Sequence, residues 1–140
     1  LTCIRAAAAD AREKHAAWEG QADVVMADVP CSGLGIIRKK PDIRYKNPKE
    51  LAQLPLVQRA ILENASGYVR PGGTLVYSTC TVLPEENEDV TGDFLDKHPE
   101  FEPVRTAFPL PVGPCPGQVT LWPQRHGTDG FYICRMRRKD

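Results

Sequence analysis

The 140-residue sequence has five cysteines but no CxxC pair, and Cys3, Cys31, Cys80, Cys115 and Cys134 stand far apart along the chain. That spacing argues against a zinc site and against a disulfide framework, and it suits a reducing, cytoplasmic setting. No run approaches the roughly 18 apolar residues that a membrane helix needs, and no basic-then-apolar leader opens the chain. The formal net charge is +0, so no global field declares a nucleic-acid or membrane partner. Internal repeats and low-complexity tracts are lacking too. The sequence starts at Leu1 rather than Met and reads as a fragment.

With 41% hydrophobic residues, the chain is sized for one domain and one core, residues 1–140. Its charge is unevenly spread. Arg38, Lys39, Lys40, Arg44, Lys46 and Lys49 outweigh Asp42 and Glu50 in one segment. Seven acids between Glu85 and Glu100 face a single lysine, Lys97. The basic segment can grip phosphates, or it can be a solvated loop, and composition alone does not choose.

The run ADVVMAD (22–28) is short, continuous and apolar, the pattern of a strand covered on both faces. Asn47-Pro48-Lys49-Glu50 then predicts a helix start, with Asn as cap, Pro in the first turn and Glu three beyond the cap. Leu51, Leu54, Val57, Ile61 and Tyr68 follow at helical spacing, and Pro55 should kink or split that helix. Asn64-Ala65-Ser66 matches a glycosylation sequon but falls inside the helix and is discounted. Arg70-Pro71-Gly72-Gly73 ends it, and TLVYST (74–79) predicts a second buried strand. Strand, helix, strand is a right-handed crossover with parallel strands about 4.8 Å apart. Cys31 and Cys80 would then emerge at the carboxyl edge of one sheet, where open α/β sheets bind ligands.

Beyond Cys80, Pro84 and the acids predict a helix with Val90, Phe94 and Leu95 inward, stopped at His98-Pro99. Pro103, Pro109, Pro111, Pro114 and Pro116 mark a loop. Residues 118–123 and 130–138 predict a closing antiparallel hairpin joined by QRHGTDG.

Three readings of the two strand-end cysteines compete. They are inert buried hydrophobes, the usual fate of a free cysteine. They form a redox disulfide, which requires α-carbons about 4.4–6.8 Å apart. Or they act in nucleophilic catalysis with Asp28 beside them. Asp28 has its own plain reading, as a cap for the turn that follows, and Asp10 taken alone is an ordinary helix cap.

The segments DVPCSGLGIIRKKPDIRY, LVYSTCTVLPEENE and HGTDGFY closely resemble the Sun/Fmu (RsmB-type) family of RNA cytosine-5-methyltransferases, from about Asp10 to Arg138. The resemblance implies an α/β, Rossmann-like class I methyltransferase fold, S-adenosyl-L-methionine as cofactor and a cytosine in RNA as substrate, in bacterial members usually small-subunit ribosomal RNA. It implies that Cys80, of the Ser-Thr-Cys motif, attacks carbon 6 of the base. Cys31, of the Pro-Cys motif, would assist breakdown of the adduct. The reverse assignment is the one expected of DNA cytosine-5-methyltransferases. Asp28 would hydrogen-bond ring nitrogen 3 and lie near the cofactor. Asp10, Asp28 and Pro30 would contact the cofactor, and Arg38, Lys39 and Lys40 the RNA. The Asp129-Gly130-Phe131 turn would close the last hairpin, with His126 close by. No metal is implied.

Val29, where the family usually has Ala, and Pro55 depart from the pattern. The family's Gly-rich cofactor loop, its ribose-binding acid, a family lysine and the N-terminal RNA-binding domain have no counterpart here. The chain is therefore expected to open inside a third strand, as the C-terminal portion of a catalytic domain. A sheet edge left uncovered in this way invites self-association. Outside catalysis, the alternative is an RNA-binding or assembly module that keeps the fold. A methyltransferase acting on another nucleophile is the enzyme alternative.

Overall fold

In the computed structural model, residues 2–109 and 111–140 are described. Leu1, with which the expected third strand would open, and Leu110, in the proline-rich loop, lie outside the described residues. The elements run β1 (Ala22–Asp28), α1 (Pro48–Leu51), α2 (Leu54–Tyr68), β2 (Val69–Thr79), α3 (Glu88–Lys97), β3 (Phe101–Pro103), β4 (Thr106–Ala107), β5 (Pro114–Cys115), β6 (Gln118–Leu121), α4 (Pro123–His126) and β7 (Phe131–Arg138). Among the described residues no helix is long and apolar enough to cross a membrane.

Local chemistry accounts for the helix boundaries. The Asn47 side chain accepts a hydrogen bond from Lys49 N at the start of α1. Pro55 lies in the first turn of α2, where its missing N–H costs nothing, so the predicted split falls just before it.

β1 and β2 pair in parallel, Val24 with Thr74 through Asp28 with Ser78, and α2 crosses between them. β2 then pairs antiparallel with β7, whose far edge carries both β3 and β6. The predicted closing hairpin is thus β6–β7, though its connection holds the short helix α4 rather than a plain turn. Gly127, at φ 67°, ends that helix. The predicted loop carries the two-residue ladder β4–β5.

Val25 and Ala27 of β1, Leu75 and Tyr77 of β2, and Cys134 and Met136 of β7 share the face that packs on α2 and α3. Leu62, Leu75 and Val90 are fully buried, each worth about 1.5–3 kcal/mol against exposure. The Tyr132 hydroxyl, buried with them, meets Thr91 Oγ1 at 2.7 Å and Gln118 Oε1 at 2.9 Å.

The expectation that β1 is covered on both faces is corrected. Val24 and Met26 are 62% and 71% exposed, because no described element packs on the face opposite α2, and β1 is an edge strand. β2 also begins earlier than expected, at Val69, and the register shifts between Ala22 and Val24 opposite its glycines. Residues 2–15 form neither strand nor helix, so the third strand expected at the opening of the chain is corrected for the described residues. They lie against α2 instead, where Asn64 Nδ2 donates to Ala11 O and Glu13 O.

Candidate functional site

β1 and β2 end side by side, and each releases its chain into a loop that carries a cysteine. Val29 N continues the ladder by donating to Ser78 O, and two residues later Cys31 turns toward the second loop. Cys31 Sγ and Cys80 Sγ stand 3.2 Å apart, both half-buried and both free. Cys80 N also donates to Cys31 Sγ at 3.3 Å. Burial, followed by the hydrogen bond with Cys80, pushes the Cys31 thiol up to about 12, so at neutral pH it keeps its proton. Asp28, exposed at the end of β1, accepts a hydrogen bond from Ser78 Oγ at 2.9 Å.

The two loops share a buried polar floor. Ser32 Oγ donates to Thr81 Oγ1 at 2.7 Å, joining the residues that follow the two cysteines. Ser32 N donates to Glu86 Oε2, and Gln58 Nε2 bonds both Glu86 Oε2 and Pro30 O. Asn87 accepts from Thr79 Oγ1 and donates to Thr81 O, while Tyr77 Oη donates to Glu86 O. Glu86 and Asn87 belong to the Pro-Glu-Glu-Asn stretch, which the sequence marks only as a helix start whose acids meet the N-terminal dipole, although α3 begins at Glu88. Gln58 was missed as well. Its one signal is a polar side chain among Leu54, Ile61, Leu62 and Ala65 on the inward side of α2.

A second contact closes the site from the C-terminal side. Gly35 N donates to Cys80 O, and Gly130 N to Gly35 O at 2.8 Å. A Cβ on Gly35 would lie 2.0 Å from the Gly130 carbonyl oxygen, and one on Gly130 would be 2.7 Å from Gly35 Cα. Only glycine permits this approach at either position. Gly35→Ala is therefore expected to destabilise the protein by about 3 kcal/mol, the upper range for overpacking. Chemical denaturation checks this against Gly92→Ala, a helix position with open space around it.

Asp129, nearly buried beside Gly130, bonds Arg38 Nη2 at 3.0 Å and Lys39 Nζ at 2.5 Å. Those bonds, that of Lys39 first, hold its carboxyl below the usual range. Arg38 and Lys39 remain about two-thirds exposed, and Lys40 is exposed. His126 accepts from Trp122 N within α4, so the structure shows it holding its own turn.

Asp10 begins no helix. Its carboxylate accepts from Arg12 N and the Arg12 guanidinium, which hold it down to about 2. The reason is local, since Arg12 lies two residues on and closes a single turn over it. Asp10 nevertheless lines a cleft of about 380 Å³ together with Asp28, Pro30, Trp18, Ile61 and Tyr68. That volume lies within the range of small-molecule sites, and the lining is mostly apolar with two carboxylates at the mouth. Among the described residues no cluster of three His, Cys, Asp or Glu could hold a metal ion.

The chain is 44% identical over 146 aligned residues to the probable ribosomal RNA small subunit methyltransferase B of Bacillus subtilis (strain 168), covering 99% of this chain and 33% of that protein. The crystal structure of PH0851 superposes with a TM-score of 0.76 at 36% identity, over 86% of this chain and 27% of the other. That of NSun6 from Pyrococcus horikoshii with SFG gives 0.64 at 28% identity, over 82% and 29%. The chain thus spans about a third of the length of the curated relatives it matches, and over that part it has the α/β, Rossmann-like methyltransferase fold. Residues 1–137 match the family described as 16S rRNA methyltransferase RsmB/F, and the chain belongs to that family.

Proposed function

We propose that this chain carries the thiol half of an RNA cytosine-5-methyltransferase that uses S-adenosyl-L-methionine and acts on small-subunit ribosomal RNA. The observation that carries the reading is the Cys31–Cys80 pair, 3.2 Å apart at the carboxyl edge of two parallel strands. Asp28 stands at the end of the first strand and lines the adjoining cleft.

Carbon 5 of cytosine is a poor nucleophile until carbon 6 has been attacked. The Cys80 thiolate adds to carbon 6, and the displaced ring π electrons make carbon 5 enamine-like. The cofactor supplies the methyl group that carbon 5 then accepts. Loss of the carbon 5 proton to water restores the carbon 5–carbon 6 double bond and breaks the bond from carbon 6 to the Cys80 sulfur. Cys31, still protonated, donates its S–H to the departing Cys80 sulfur 3.2 Å away and regains a proton from solvent. Asp28 shares a proton with ring nitrogen 3, where electron density collects as carbon 6 is attacked.

Asp10, Asp28 and Pro30 fit a cofactor, since they line one largely apolar cleft that reaches the residue before Cys31. A reducing, cytoplasmic setting would keep both sulfurs free. The reading is tested by incubating the full-length enzyme with small-subunit ribosomal RNA and methyl-labelled cofactor, then digesting to nucleosides. Label in 5-methylcytosine supports it, and label only in another nucleoside refutes it.

Arg38, Lys39 and Lys40 are proposed to meet RNA phosphates, the first two from their position over Asp129. Each lost phosphate contact lowers the log–log salt slope of binding by about 0.7–0.9. Replacing all three with Ala should therefore flatten it by about 2–3. An unchanged slope in filter-binding titrations would leave the segment a solvated loop.

A further inference from the structure

We infer that Gln58 and Glu86 are positioning residues for Cys31, clamping the peptide on both sides of the thiol. The inference rests on the proposed role of Cys31 in adduct release. Pro30 O, immediately before Cys31, accepts from Gln58 Nε2 at 3.0 Å. Ser32 N, immediately after it, donates to Glu86 Oε2 at 2.9 Å. The clamp is closed on itself, because Gln58 Nε2 also donates to Glu86 Oε2 at 2.8 Å. Lys46 Nζ adds a bond to Ser32 O at 2.8 Å.

The clamp is costly to keep. Gln58 and Glu86 are 0% and 1% exposed, and none of the ion pairs among the described residues includes Glu86. A buried carboxylate without a cation stabilises a fold less well than apolar side chains of similar volume. Gln58 Oε1 and Glu86 Oε1 are buried without partners, which adds to that cost. An apolar pair could fill the space but could not fix the Cys31 peptide. The Tyr77 hydroxyl ties the Glu86 backbone to β2, and Glu86 lies six residues beyond Cys80 on the same loop. The Cys80 loop and the clamp on its partner thiol are therefore one hydrogen-bonded unit.

The test uses Gln58→Met in the full-length enzyme, a replacement close in volume that removes the donor. A misplacement of reacting groups by about 1 Å costs on the order of 100-fold. Adduct formation and the first methyl transfer should proceed, while release slows by about tenfold or more, and RNA should accumulate on the protein through a denaturing gel. Loss of adduct and methylation together, in proportion to loss of folded protein, would make Gln58 a structural residue and overturn the inference. Normal turnover would overturn it too. Glu86→Asp withdraws the carboxylate by one methylene and carries the same test with the same outcomes if Gln58→Met does not fold.

A parallel arm separates the clamp from the reading of Cys31. Alkylation of Cys31 without RNA, followed by mass spectrometry, should be faster in Gln58→Met than in the wild type. If Cys31→Ala fails to trap RNA but this alkylation still accelerates, the release role is wrong and the clamp stands. If the alkylation rate is unchanged, the clamp is wrong.

Discussion

Cys80→Ala is expected to abolish both methylation and covalent RNA capture, whereas Cys31→Ala is expected to leave RNA trapped on the enzyme. Under the proposed roles Cys80 makes the only bond between protein and base. Its removal should lower kcat to background, on the order of 10⁶-fold, as removal of other catalytic nucleophiles does. Cys31 is needed only after that bond exists. Held protonated by burial and by its neighbour, it is a weak nucleophile but can donate its S–H to the Cys80 sulfur 3.2 Å away. Losing a proton-transfer group slows one step by about 10²–10⁴-fold. Single-turnover methylation should therefore survive in Cys31→Ala, and a slow RNA–protein band should persist on a denaturing gel. Should the Cys80 variant trap RNA and the Cys31 variant not, the two roles are exchanged. Normal turnover of the Cys31 variant would return Cys31 to a packing residue.

Much of the scaffold was legible because its signals are local. An apolar run, a capped helix split by Pro55 and a second run dictate a parallel crossover, and that topology alone brings residues 31 and 80 to one edge. The closing hairpin was legible for the same reason, from two alternating runs flanking a Gly-containing turn. Periodicity reports that a strand is apolar, however, and not whether anything lies against it. Val24 and Met26 therefore read as buried while one face of β1 is open.

The floor of the site was not legible, since it is assembled from separations that no window spans. Gln58 meets Pro30 across 28 positions, Ser32 meets Glu86 across 54, and Arg38 meets Asp129 across 91. In the sequence Glu86 is one acid among seven, and the pattern marks its neighbours equally for solvent. Asp10 fails in the opposite direction. A short acid before a charged stretch resembles a cap, but a competing side chain two residues on, Arg12, took the carboxylate for a single turn.

Asp28→Asn should lower kcat by about 10²–10³-fold with little change in stability. For carbon 6 to accept the thiolate, electron density must move toward ring nitrogen 3, and a proton shared between that nitrogen and a carboxylate stabilises it there. Under the proposed role, Ser78 Oγ occupies Asp28 Oδ1 and Oδ2 is the oxygen left for the base. An amide of the same shape keeps the Ser78 contact through its oxygen but has no proton to pass to the ring nitrogen. Rapid-quench measurement should therefore show slower adduct formation on Cys80, the step before methyl transfer. Release, which depends on Cys31, should be unaffected. A thermal melt that matches the wild type would show that the turn after β1 is intact. If instead the variant lost stability and kept its rate per folded molecule, Asp28 would be the cap of that turn and the charge on the ring would have to be met by another group.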